Sequence, residues 1–171
     1  MTTVSFDGKR LVSDSQATVG TRRRLGPAKK IHVAGKDDNW TLLGKKVLAF
    51  GFAGNGGALN WITQSLTKGV GAEQPVTAKE ISFSVIAVTD TGDAFYWNVS
   101  KHLKNAEDRH EVTPVTGPIA IGSGAVIAET VLALGKSAKK AVKAAMQQDI
   151  HTGGELQVYR VPVKGVKRLR V

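Results

Sequence analysis

Residues 2–13 read Thr2-Thr3-Val4-Ser5-Phe6-Asp7-Gly8-Lys9-Arg10-Leu11-Val12-Ser13. A partly alternating apolar and polar run, Thr2–Phe6, meets Asp7-Gly8, the strongest short hairpin signal, and Lys9–Ser13 returns as a second strand. A hairpin sets neighbouring strands antiparallel, whereas a parallel pair needs a long crossover.

The same grammar continues downstream. After a Gly-, Pro- and Arg-rich loop at Thr18–Lys29, a short strand is expected at Ile31–Val33 and a polar turn at Lys36–Asn39. Trp40–Leu43 and Val47–Phe52 form a strand pair joined at Gly44; the second is almost wholly apolar and should be buried. Gly54-Asn55-Gly56-Gly57 breaks it, and Ala58–Lys68 carries Leu59, Ile62 and Leu66 at helical spacing. Ile81–Thr89 and Ala94–Val99 pair around Asp90–Asp93, and Ile119–Ile121 enters Gly122-Ser123-Gly124. Helices follow near Ala125–Leu134 and Ser137–Gln148, then strands at Glu155–Val161 and Val166–Val171. Hairpins with segregated helices indicate an α+β fold rather than a doubly wound sheet. No internal repeat or linker divides the 171 residues, so a single domain, 1–171, is expected.

Composition narrows the chemistry. The chain has no cysteine, which excludes disulfides and thiolate catalysis. No basic n-region with an apolar run opens it, and no apolar stretch approaches the roughly 20 residues of a membrane span, so a cytoplasmic protein without a membrane partner is expected. The net charge of +10 is concentrated at Arg22–Arg24, Lys29–Lys30, Lys136–Lys143 and Lys164–Arg170. Clustered cations can bind nucleic acid, but no stacking aromatics interleave them, and a solvated surface is the expectation. His32, His102, His110 and His151 lack metal-ligand spacing. Gly51-x-x-Gly54-x-Gly56-Gly57 departs from the dinucleotide-binding spacing and no βαβ unit follows it. Neither a metal nor a cofactor is expected.

Singly, the remaining signals are weak. Threonine after Met1 is commonplace, Asp14 at a strand end is an ordinary turn former, and Ser123 an ordinary helix cap. Asp149, near a helix C-terminus, is placed against the macrodipole, a mild hint of a site. Together and in order they resemble one family. Thr2-Thr3-Val4-Ser5, Val12-Ser13-Asp14-Ser15-Gln16-Ala17-Thr18-Val19-Gly20 and Lys29-Lys30 look like the opening of the HslV peptidase and proteasome β-subunit family. Gly51-Phe52-Ala53-Gly54 is similar to its strand-to-helix turn, Ala120-Ile121-Gly122-Ser123-Gly124 to its serine segment, and Asp149-Ile150-His151-Thr152-Gly153-Gly154 to its Asp-x-x-Ser/Thr-Gly-Gly element.

The resemblance implies a four-layer αββα sandwich, the N-terminal-nucleophile hydrolase fold, and a threonine peptidase acting on peptides or unfolded proteins inside a homo-oligomeric ring or double ring. Thr2 is the implied nucleophile once Met1 is removed. A hydroxyl is a poor nucleophile without a base, and a free α-amine, with an ordinary pKa of about 7.7–8.0, can serve. Lys30 is implied to lower that pKa further and Asp14 to orient Lys30. The Gly51 N–H is the implied oxyanion donor, worth about 3–4 kcal/mol; Ser123, Asp149 and Thr152 complete the network. A non-peptide amide is the alternative substrate, and an inactive ring protein with a basic, nucleic-acid-associated surface the alternative function.

The chain departs from the family in three places. The first hairpin is shorter, although the even separation of Thr2 and Asp14 preserves their faces. Gly35–Lys46 adds a turn and strand whose Trp40 is expected in the core. Pro75 opposes a second long helix in Gly69–Lys79, so that helical layer should be thinner, and an ATPase unfoldase partner is not carried over.

Overall fold

The computed structural model describes residues 2–19, 22–23, 26–71, 81–100 and 110–162. The strands are β1 (Thr3–Phe6), β2 (Arg10–Ser13), β3 (Thr18–Val19), β4 (Arg22–Arg23), β5 (Ile31–Val33), β6 (Thr41–Leu42), β7 (Lys45–Gly54), β8 (Phe83–Thr89), β9 (Ala94–Val99), β10 (His110–Pro114), β11 (Ile119–Gly122) and β12 (Gln157–Arg160). The helices are α1 (Ala58–Lys68), α2 (Ala125–Ala133) and α3 (Ala138–Gln148).

The opening hairpin forms where Asp7-Gly8 placed it. Asp7 Oδ1 accepts the Lys9 and Arg10 amides, fixing the turn from its own side chain. One four-stranded sheet runs β11-β1-β2-β12, and a six-stranded sheet runs β10-β9-β8-β7-β5 with β6 beside β7. Every paired strand in both is antiparallel.

Alternation sorts each strand between two faces. Val4, Phe6 and Leu11 of the first sheet meet Ile31, Ala53, Ile86 and Val88 of the second in one cluster. Away from it, Ala58, Ile62 and Leu66 of α1 cover Phe50, Phe83, Val85 and Trp97. On the first sheet's other face, Ala128 and Leu132 of α2 pack with Ala120 and Ala141, while Ala138 and Val142 of α3 pack on Val12. The buried face of α3 consists of Ala138, Ala141, Val142 and Ala145. Trp40 is buried 5.2 Å from the Phe50 ring, as core.

Two segments differ from the sequence reading. The Thr18–Lys29 loop contains the short β3–β4 pair, held by Thr18↔Arg23 and Val19↔Arg22. The strand His110–Pro114 has no counterpart in the sequence reading; among the described residues it is an edge strand paired to β9, which is where a strand tolerates proline. The strand read at Val166–Val171, and most of the Gly69–Lys79 stretch, lie outside the described residues. Among the described residues no helix is long and apolar enough to cross a membrane.

Candidate active site

Asp14 directly follows β2 and is fully buried. Its Oδ1 accepts the Lys30 ammonium at 2.7 Å and the Thr3 amide at 2.9 Å. Its Oδ2 accepts the amides of Gln16 (3.1 Å) and Gly153 (3.0 Å). Four donors therefore surround one carboxylate, which joins the first hairpin to the segment before β5 and to the Thr152–Gly153 loop. Burial pushes the Lys30 ammonium below the ordinary lysine range, against the opposing pull of Asp14 and of the charge on Asp149. A buried ion pair is an expensive arrangement, and such groups concentrate at functional sites.

A second network begins at Asp149, just past α3. Its Oδ2 accepts the Ser123 hydroxyl at 2.6 Å and the Thr152 hydroxyl at 2.5 Å, and its Oδ1 the His151 amide at 3.0 Å. Partial burial alone would raise the Asp149 pKa; those hydrogen bonds and the nearby His151 outweigh it, and the carboxyl sits below its ordinary value. The Thr152 hydroxyl also meets the Thr3 hydroxyl at 2.6 Å, and the Gly124 amide donates to Thr3 Oγ1 at 3.2 Å. Thr3 thus joins the two networks: its amide donates to Asp14 and its hydroxyl reaches Asp149 through the Thr152 hydroxyl. Nothing in the sequence singled it out beyond its place beside Thr2.

Thr2 is held by its main chain: its carbonyl accepts the Ser123 amide at 2.9 Å. That contact requires Gly122, whose φ is +101° and whose position would put a Cβ 1.7 Å from the Thr2 carbonyl oxygen. Alternation from Val4 turns the Thr2 side chain toward the second sheet. There Thr2 lines an open cleft of about 420 Å³ together with Gly122 and Ser123 on one side and Ala53, Gly54, Ser84 and Asn98 on the other.

Gly51 lies elsewhere than the resemblance implied. It is buried in mid-strand, paired with Ile31 of β5 and Ile86 of β8, and a Cβ there would strike Val4 Cγ1 at 2.7 Å. The Phe52 amide points to the Lys30 carbonyl (3.4 Å) and the Asn55 amide to the Ser82 carbonyl (3.2 Å). Alternation therefore directs the Gly51 amide into the ladder with β8. The Gly54 amide turns to the side Phe52 faces, beyond the start of β5, and Gly54 lines the cleft. Of the seven residues implied by the resemblance, Asp14 and Lys30 meet directly, as do Ser123, Asp149 and Thr152; Thr2 opens onto the cleft between the sheets.

The fold of these sheets and helices matches known structures. The fold is proteasome-like. BPH of Thiobacillus denitrificans in complex with epoxomicin superposes with a TM-score of 0.60 at 15% identity, over 94% of this chain and 98% of that one. A second structure of the same BPH gives 0.60 at 14%, over 96% and 99%. Anbu, described as an ancestral beta-subunit, from Yersinia bercovieri gives 0.61 at 11%, over 95% of this chain and 82% of that one. No protein-family model matches the chain, and no curated protein matches it by sequence.

Proposed function

We propose that the chain is a threonine peptidase of the N-terminal-nucleophile type, built as a four-layer αββα sandwich, with Thr2 as nucleophile after removal of Met1. The observation that carries this reading is the buried Asp14–Lys30 pair at the base of the hairpin whose first residue opens onto the cleft. The hydrophobic core needs no cation there, and burying one carries a desolvation cost.

In the proposed reaction the Thr2 α-amine takes the proton from Thr2 Oγ1 as that oxygen attacks the carbonyl carbon of a peptide bond in the cleft. Lys30, held charged by Asp14, keeps the amine deprotonated near neutral pH. The developing oxyanion is met by the Gly54 amide, three residues along from the position that the resemblance assigned to this role. The C–N bond then breaks, the amine passes its proton to the leaving nitrogen, and Thr2 is left as an ester. Water, deprotonated by the same amine, hydrolyses the ester and restores the threonine. Ser123, Asp149 and Thr152 position the Thr2–Thr3 main chain, because Asp149 binds both hydroxyls that flank it.

Peptide or unfolded-protein substrates and a homo-oligomeric ring belong to the same proposal, supported by the likeness to the ancestral beta-subunit fold. The test is hydrolysis of a fluorogenic peptide amide. Wild-type protein should turn over, Thr2→Ser should retain activity, and Thr2→Ala should lose it. Equal activity in wild type and Thr2→Ala would end the reading.

A further inference from the structure

Thr3 and Ser5 are both fully buried in β1, and alternation sets them on the same face. Valine has the shape of threonine, suits a strand better and has no hydroxyl to desolvate. A buried strand threonine therefore needs a reason in its hydroxyl. The two hydroxyls fare differently. Ser5 Oγ has no hydrogen-bond partner among the described residues. Thr3 Oγ1 has two, the Gly124 amide at 3.2 Å and the Thr152 hydroxyl at 2.6 Å.

Counting protons fixes the direction of these bonds. An amide only donates, so Gly124 gives its hydrogen to Thr3 Oγ1. Thr152 has a single hydroxyl proton, and it goes to Asp149 Oδ2 at 2.5 Å. At the Thr3–Thr152 contact Thr3 is therefore the donor. The chain runs one way, from the Gly124 amide at the start of α2 through Thr3 and Thr152 to the carboxylate. Each bond in such a chain polarises the next. Gly124 leaves room for it, since a Cβ there would strike Thr3 Oγ1 and crowd Ala145. The main chain is held as well. In the peptide unit joining Thr2 to Thr3, the carbonyl accepts the Ser123 amide at 2.9 Å and the N–H donates to Asp14 Oδ1 at 2.9 Å.

We propose that Thr3 is a positioning residue for the Thr2 nucleophile, acting through the one-way chain of hydrogen bonds from Gly124 to Asp149. The proposal rests on the reading of Thr2 as nucleophile. Thr3 is absent from the lining of the cleft, so its hydroxyl should govern turnover rather than substrate binding. With its amide and its hydroxyl both anchored, Thr3 holds the peptide unit before it in one orientation, and Thr2 with it. A misplacement of about 1 Å at a reacting group can cost about a hundredfold in rate.

The test is steady-state hydrolysis of a fluorogenic peptide amide by the full chain, with carboxyl NMR titration of Asp149 alongside. Thr3→Val should lose about tenfold or more in kcat, with KM unchanged within about twofold. Thr3→Ser restores the hydroxyl and should return most of the rate. Ser5→Ala, on the same face of β1, should be as active as wild type. Thr3→Val with Thr152→Val should be no slower than Thr152→Val alone, because both cut one chain. Without the Thr3 donor, Thr152 is a weaker donor to Asp149, so the carboxyl should titrate at higher pH in Thr3→Val than in wild type. Among the described residues, the titratable groups that interact with Asp149 are His151 and Lys30, and the substitution alters neither. If Thr3→Val does not fold, Thr3→Cys, whose thiol donates only weakly, carries the same readouts. In an active enzyme, wild-type kcat in Thr3→Val, a loss that serine does not restore, or losses that multiply in the double variant would overturn the proposal. A wild type that hydrolyses no peptide amide would instead sink the peptidase reading. The titration needs no turnover, and an Asp149 that Thr3→Val leaves unmoved overturns the chain by itself.

Discussion

Asp14→Asn and Lys30→Met remove opposite halves of one buried pair, and their costs should differ. Asp14 accepts four donors, one of them the Lys30 ammonium at 2.7 Å. Asparagine retains one acceptor oxygen and turns an NH₂ toward donors, so three amides and a buried cation compete for what is left. Breaking a buried pair from the acid side should cost about 3–5 kcal/mol. Lys30→Met removes the cation and its desolvation penalty together and leaves Asp14 with three amide partners. That substitution should cost about 1–2 kcal/mol, near the net value of a charged hydrogen bond. Urea unfolding with a shared m-value measures both. The expected order is Asp14→Asn well below Lys30→Met, with a gap of at least about 1 kcal/mol. A Lys30→Met variant as unstable as Asp14→Asn would refute the reasoning, because the carboxylate would then depend on the cation rather than on its amides.

Other consequences are independent of catalysis. Lys30 has a lowered pKa in the folded state, so the unfolded chain binds more protons between that value and the ordinary 10.5. Its contribution to stability should rise with pH across that window, and Lys30→Met should flatten the alkaline limb of a stability–pH curve. Asp149 has a lowered pKa, so it stabilises above the ordinary 3.8 and loses that contribution as pH falls through the depressed value; Ser123→Ala should shift the acid transition upward, as NMR titration of the carboxyl would record. Gly122→Ala forces a Cβ onto the Thr2 carbonyl at φ +101° and should cost about 3 kcal/mol or more, read as a lowered denaturation midpoint.

Much of the scaffold was legible because local signals were unopposed. Asp7-Gly8 set the hairpin, and Ala58–Lys68 announced a helix whose buried residues, Ala58, Ile62 and Leu66, keep strict helical spacing. His110–Pro114 was not legible, since its proline and histidine read as non-strand and only pairing with β9 makes them one. The β3–β4 pair was hidden in glycine- and arginine-rich sequence for the same reason: its order comes from a partner, not from pattern. At the site, the resemblance named Asp14, Lys30, Ser123, Asp149 and Thr152, and the structure brings these together in two networks. Thr3 was missed because alternation, not residue type, turns its hydroxyl into the Asp149 network. Gly51 was assigned by sequence likeness, but a glycine in mid-strand is also what close packing on Val4 demands, and only the direction of the strand's amides separates the two uses.

The most direct test of the central claim is intact-mass and peptide mass spectrometry of the purified protein, with and without an epoxyketone that must react with both a hydroxyl and a free amine on one residue. The account predicts loss of Met1 and a single adduct on Thr2, absent in Thr2→Ala. Retained Met1 with no adduct would contradict it and leave the chain a proteasome-like protein whose buried Asp14–Lys30 pair serves something other than peptide hydrolysis.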